Sequence, residues 1–281
     1  MCIRDRVYDI QDVGVRFYTY ISTLFESMKA AARNKIPVVV LDRPNPLGGL
    51  RVEGPVIEKE FFSFVGIYSI PIRYGMTVGE LARFFNREAG ISADLHVVPM
   101  QGWSRESGFP ERQLQWIAPS PNMPSIRTAQ LYPGFCLIEG TNLSEGRGTT
   151  LPFALVGAPW LDAERLAQVL NNRNIPGTYF RPQQFTPWFS KYREQNCSGL
   201  QVHVIDPDTF RPIRSALRLI SEALKLHPDE FEFRERQFDR LIGNSWVRER
   251  LLKGQSVESI RKEWIPGTEE FQRRREAYFL Y

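Results

Sequence analysis

Ile36–Asp42, IPVVVLD, is an unbroken apolar run that stops at the turn-rich DRPNPLGG. A short run of this kind, rich in β-branched residues, reads as a strand covered on both faces, the pattern of a buried parallel sheet. Before it, Phe17–Asn34 places Tyr20, Leu24, Met28 and Ala31 at helical spacing, and a shorter strand-like run spans Val7–Asp12. Strand, long helix and buried strand make a βαβ unit, which commits the first half of the chain to an α/β sheet. TVGELARFFNREAG supplies the next helix, opened by a capping box of Thr77 and Glu80 and stopped at Gly90. Asp94–Met100 is the third strand.

Three strands are few for a parallel sheet, which usually has about five or six. The opening MCIRDR also runs straight into a pattern that belongs inside a sheet. Together these predict that residues 1–6 are not native, that upstream sequence is missing, and that the first strand is an exposed edge.

The second half changes character. Helices are predicted at Asp162–Asn172 and from Pro212 to His227, with Pro212 in a first-turn position, around a strand at Leu200–Asp206. Short helices close the chain at Trp246–Leu252, Ser256–Trp264 and Glu269–Phe279. The expected fold class is α/β. An incomplete Rossmann-like, mostly parallel sheet domain over residues 7–138 precedes a smaller α+β C-terminal domain over residues 139–281.

Several function classes drop out. A net charge of +4 over 281 residues, with Lys and Arg scattered among Asp and Glu, leaves no basic stripe for nucleic acid. No apolar run reaches the length of about 18 residues that a membrane span needs. Cys2, Cys136 and Cys197, with His96, His203 and His227, show no ligand spacing, so no metal is expected. GVRFYTY is not a dinucleotide fingerprint, and neither a phosphate loop nor a GxSxG elbow occurs, so no cofactor is expected.

Ligands of open α/β sheets bind beyond the carboxyl ends of the strands. Three polar clusters fall there: Asp9, Gln11, Asp12, Arg16, Tyr18 and Tyr20; then Asp42, Arg43 and Asn45; then Asn122, held by three prolines in APSPNMPS. A fourth polar stretch, EGTNLSEGRGTT at Glu139–Thr150, holds the unassigned carboxylates Glu139 and Glu145 with Arg147 between glycines. Arg147 either binds an anionic group or neutralises Glu145. Glu80 and Asp162 read as helix caps. Carboxylates, amides, arginines and aromatics are the vocabulary of a carbohydrate site, where paired carboxylates do acid/base or nucleophilic work.

YDIQDVGVRFYTYIST, VVVLDRPNPLGG, RYGMTVGELA, PSPNMPS, YPGFCLIEGTNLSEGRGTTLPF and the closing R-x-x-Y-F-L-Y together resemble the exo-β-N-acetylmuramidase (NamZ-type) family. The resemblance runs from Val7 to Tyr281. It implies a Rossmann-like catalytic domain joined to a smaller C-terminal domain across a cleft. The implied reaction releases N-acetylmuramic acid from the non-reducing ends of peptidoglycan fragments. It further implies peptidoglycan-derived sugars as partners and a secreted or periplasmic location. The resemblance implies that Asp12, Glu139 and Glu145 are the catalytic candidates. Gln11, Arg16, Tyr18, Asp42, Arg43, Asn45, Asn122 and Asn142 would bind sugar, and Arg147 would face the lactyl carboxylate of muramic acid. The glycines of EGTNLSEGRGTT would let its backbone approach the sugar. Family members also carry an upstream Glu-His-Gly segment with a catalytic glutamate, absent from this sequence, so a fragment without turnover is expected as one possibility. The rival readings are a non-catalytic cell-wall glycan-binding module and a nucleotide-dependent transferase. Oligomeric state is not legible.

Overall fold

The computed structural model describes residues 5–109 and 114–281. They form two compact units: one runs to Pro119 and takes in Trp264–Tyr281, and the other is Ser120–Glu263. The expected boundary at residue 138 therefore lies inside the second unit. It falls in a 3₁₀ turn, Cys136–Gly140, whose apolar residues Cys136, Leu137 and Ile138 are all buried. Burial of these three apolar side chains makes the turn part of the second unit's interior.

In the first unit, β1 (Arg6–Tyr8), β2 (Val38–Leu41) and β5 (Leu95–Val98) form a parallel sheet in the order β1-β2-β5. Helix α1 (Tyr20–Asn34) makes the crossover between β1 and β2. It ends where Lys35 turns left-handed at φ 54° and its N–H caps the carbonyls of Ala31 and Ala32. Residues 1–4 lie outside the described part; Arg6 already pairs with Val38. Between β2 and β5 come an antiparallel hairpin, β3 (Glu53–Val56) and β4 (Pro71–Arg73), and helix α2 (Val78–Glu88). The hairpin is absent from the sequence expectation, because its strands are only three or four residues long and contain Gly54, Pro55 and Pro71. The predicted capping box is present: Thr77 accepts from the Glu80 N–H while Glu80 accepts from the Thr77 N–H.

Leu24 and Met28 of α1 and Val78 and Ala82 of α2 pack on Tyr8, Val38 and Val40, covering one face of the sheet. The opposite face exposes Val7, Leu41 and Val98, so the run VVVL is covered on one side and not on both as expected. A second cluster joins Ile21 and Phe25 to Phe84, Phe85, Phe271 and Tyr278, binding the chain's last residues into this unit.

The second unit contains helix α3 (Ile126–Phe135) and then β6 (Leu155–Ala158), α4 (Ala163–Asn172), β7 (Thr178–Phe185) and β8 (Cys197–Val204). Helices α5 (Pro212–Leu226), α6 (Glu235–Ile242) and α7 (Trp246–Leu252) come next. Its sheet is antiparallel in the order β6-β8-β7. Pro212 opens α5 in the first turn, where its missing N–H costs nothing. The two helices expected at the C-terminal end are one, α8 (Val257–Arg275), which passes through Pro266.

Candidate functional site

In the first unit, the carboxyl ends of the three parallel strands surround a cavity of about 410 Å³. Asp9 follows β1, Asp42 and Arg43 follow β2, Met100 follows β5, and Trp103 and Leu114 are also among the lining residues. Arg43 Nε donates to Asp9 Oδ1 at 2.6 Å, and both side chains stay more than 40% exposed. An exposed pair is weakly bound and exchangeable with a ligand's charge.

Asp42 is built differently from the sugar-binding carboxylate expected. Oδ1 accepts from the N–H groups of Gly79 and Arg43 (2.7 and 3.0 Å), and Oδ2 accepts from the hydroxyls of Thr77 and Tyr281 (2.6 and 2.8 Å). Four donors fill a carboxylate's acceptor sites. Asp42 therefore fixes the N-terminus of α2, and although burial raises its pKa, the same four donors oppose that rise.

Three other candidates in this unit are likewise structural. Arg16 is fully buried and donates to the carbonyls of Pro55 and Ile70 at 2.9 and 3.0 Å. Tyr18 is buried with its ring edge-on to Tyr20. Asn45 is buried, donates to the Met76 carbonyl and accepts from the Leu47 N–H. Its amide sits against Gly14, where φ is +75° and an added Cβ would lie 2.3 Å from Asn45 Oδ1, so only glycine fits. Gln11 is half-buried and braces the two strand ends, donating to the carbonyls of Asp12 and Pro44.

Asp12 is 3% exposed. Its Oδ2 accepts from the Gly14 N–H and from the Tyr74 hydroxyl, while Oδ1 is buried with no hydrogen-bond partner among the described residues. Burial pushes its pKa up to about 6, with Tyr74 and Gly14 working against the rise. An acid whose folded pKa exceeds its unfolded value loses stability as pH rises through the gap between them. Stability is therefore expected to fall between about pH 4 and about pH 6, a window corresponding to roughly 3 kcal/mol. Denaturant midpoints of Asp12→Asn should lack that component. A variant curve parallel to the wild type over this window would remove Asp12 as its source.

In the second unit, Glu139, Glu145 and Arg147 do come together. Arg147 donates through Nε and Nη2 to Glu139 Oε1, at 3.0 and 2.7 Å, and lies 3.6 Å from Glu145 Oε1. Its guanidinium stands over the Phe153 ring, 4.9 Å from the centroid. Of the alternatives expected for Arg147, the ion pair with Glu145 is present at 3.6 Å, but Glu139 is its closer partner. Burial works to lower its pKa, and Glu139 raises it against that effect. Glu139 keeps a side chain 19% exposed, and its second oxygen has no hydrogen-bond partner among the described residues. Glu145, 2% exposed, is held by Lys191 Nζ at 3.2 Å.

Lys191 is a residue the sequence does not single out. Its ammonium also donates to the carbonyls of Ile138, Thr141 and Leu143 at 3.0, 2.8 and 2.7 Å, so it ties TPWFSKYR to EGTNLSEGRGTT. Burial lowers its pKa, with Glu145 opposing the change. A lone lysine among aromatics carries no sequence signal for such a role.

Asn142, expected to bind sugar, is engaged by the fold. Its amide donates to the Glu230 carbonyl and accepts from the Glu232 N–H, clamping a neighbouring loop. The glycines also serve the fold: at Gly148, φ is +83° and an added Cβ would lie 2.3 Å from the Phe189 carbonyl. Asn122 is half-buried in the lead-in to α3, whose N-cap is Ser125, and its side chain makes no hydrogen bond to a described residue.

Residues 4–127 match the N-terminal domain, and residues 130–281 the C-terminal domain, of exo-β-N-acetylmuramidase NamZ. A peptidoglycan β-N-acetylmuramidase NamZ of Bacillus subtilis (strain 168) is 48% identical over 276 residues, which are 98% of this chain and 67% of that protein. Two crystal structures of DUF1343 family proteins from Bacteroides fragilis are also similar. One superposes with a TM-score of 0.92 at 39% identity and the other with 0.80 at 32%, each over 98% of this chain and 74% of theirs. This chain belongs to the exo-β-N-acetylmuramidase NamZ family.

Proposed function

We propose that this chain is a glycoside hydrolase that releases N-acetylmuramic acid from the non-reducing ends of peptidoglycan fragments, acting as a secreted or periplasmic protein. Family membership supports the reaction class. The observation that carries the reading is the Glu139 carboxylate: Arg147 fixes one oxygen and leaves the other unengaged at a partly open position. Glycoside hydrolysis needs a positioned carboxyl group to pass a proton to the leaving oxygen or to face the positive charge developing at the anomeric carbon. Glu139 can do either. Glu145 is too deeply buried to touch a sugar and acts by anchoring Lys191 and Arg147. Asp12, enclosed with Tyr74, shapes the strand end and is a positioning group rather than a catalytic one. Asn122 is available to an acetamido group.

The test is release of free N-acetylmuramic acid from a chromogenic muramic acid glycoside. This chain would be run beside one preceded by the segment that family resemblance places upstream. Turnover by this chain alone puts the chemistry within these residues. Turnover only by the longer protein puts an essential group in the added segment. Sugar binding without release by either would overturn the hydrolase reading in favour of a glycan-binding module.

A further inference from the structure

The loop between β7 and β8 contains Trp188 and Phe189, which are 76% and 51% exposed. Side chains this large contribute nothing to a core from such positions, so folding does not account for them. Nor is the loop slack. Ser190, Tyr192 and Glu194 all adopt left-handed φ, at 75°, 55° and 61°. Non-glycine residues in that region are strained and persist only where their surroundings hold them. The holding contacts are visible: the Trp188 N–H donates to the Gly148 carbonyl at 2.8 Å, the Glu194 N–H donates to the Pro187 carbonyl at 2.8 Å, and Lys191 is buried against Glu145.

Gly148 follows Arg147 directly, so the backbone of Trp188 is bonded to the segment that carries the Glu139–Arg147 pair. A held loop thus carries two exposed aromatic side chains on a backbone bonded to the residue after Arg147. The apolar C–H face of a pyranose ring matches such a surface, and its hydroxyls can remain in water.

We propose that Trp188 and Phe189 form a stacking platform for the sugars that follow the cleaved bond, namely β-1,4-linked N-acetylhexosamine units. The proposal rests on the glycosidase reading above. Trp188 supplies the larger face, and the held loop means that little ordering entropy opposes binding. Its role is to select glycan chains over short glycosides.

A β-1,4-linked N-acetylglucosamine trisaccharide tests this without any need for turnover, since it mimics the leaving chain and has no muramic acid to release. Titration calorimetry of the wild type and of Trp188→Ala should show at least a tenfold weaker dissociation constant for the variant, with Trp188→Phe within about threefold of wild type. Far-ultraviolet circular dichroism and melting temperature should be unchanged, because neither ring is buried. Equal affinity of Trp188→Ala and wild type would overturn the proposal, as would a wild type that does not bind the trisaccharide. Failure to release N-acetylmuramic acid, with trisaccharide binding intact and dependent on Trp188, would instead overturn the hydrolase reading and leave the platform standing.

Discussion

Glu139→Gln is expected to lower the rate of N-acetylmuramic acid release by roughly 100-fold or more, the usual worth of a positioned acid or base. The amide keeps the shape and can still accept from Arg147 through its oxygen, but it neither gives up a proton nor carries charge. Arg147 retains Glu145 at 3.6 Å and the Phe153 ring, so the stability loss should be on the order of 1 kcal/mol. The comparison needs kcat and the melting temperature on the same preparation, in whichever form of the protein turns over. A rate within a few-fold of wild type would remove Glu139 from the chemistry. A rate loss accompanied by a large fall in melting temperature would assign it to the fold.

Lys191→Met should have the largest effect on stability. The ammonium is 8% exposed and its partner Glu145 only 2%, and the same ammonium serves three loop carbonyls at 3.0 Å or less. Removing the ammonium leaves Glu145 with Arg147, 3.6 Å away, as its remaining ion-pair partner, and breaking a buried pair costs about 3–5 kcal/mol. The melting temperature should drop on the order of 10 °C. Glu145→Gln placed on top of Lys191→Met should recover part of the loss, because the buried charge then disappears. A single variant within about 1 kcal/mol of wild type would mean that Lys191 is not the post this geometry makes it. A double variant no more stable than the single would trace the loss to the carbonyls instead.

The repeating parts of the fold are legible in the sequence. The spacing of Leu24, Met28 and Ala31, the run Val38–Leu41, the Thr77–Glu80 capping box and the Pro212 start of α5 each arise from contacts within a few residues, so each leaves a pattern along the chain. The short hairpin strands β3 and β4 leave none, since pairing across the hairpin and burial outweigh the poor strand propensity of Gly54 and Pro55. Helix α3 escapes a reading by pattern because YPGF near its end carries both Pro133 and Gly134.

Candidate site residues divide along the same line. The sequence identifies which polar residues are unusual, and it brings Glu139, Glu145 and Arg147 into one segment. It does not say which polar groups already have partners. Asp42, Asn45, Arg16 and Asn142 have the composition of sugar ligands, yet each is engaged by backbone or side-chain groups of the fold, some from far along the chain. The closing R-x-x-Y-F-L-Y shows this most plainly. Arg275 donates to the carbonyls of Gly49, Leu50 and Tyr74, and Tyr281 donates to Asp42, across more than 200 residues of sequence.

By itself, then, the sequence determined the α/β class, the helix boundaries set by local caps, and the family, because these depend on periodicity and on long motifs. Only the tertiary structure decided that Glu139 keeps an unengaged oxygen while Glu145 is locked to Lys191, and that Trp188 faces solvent. A buried charge must find a partner wherever the chain can bring one, and that choice depends on three-dimensional proximity that spacing along the sequence does not encode.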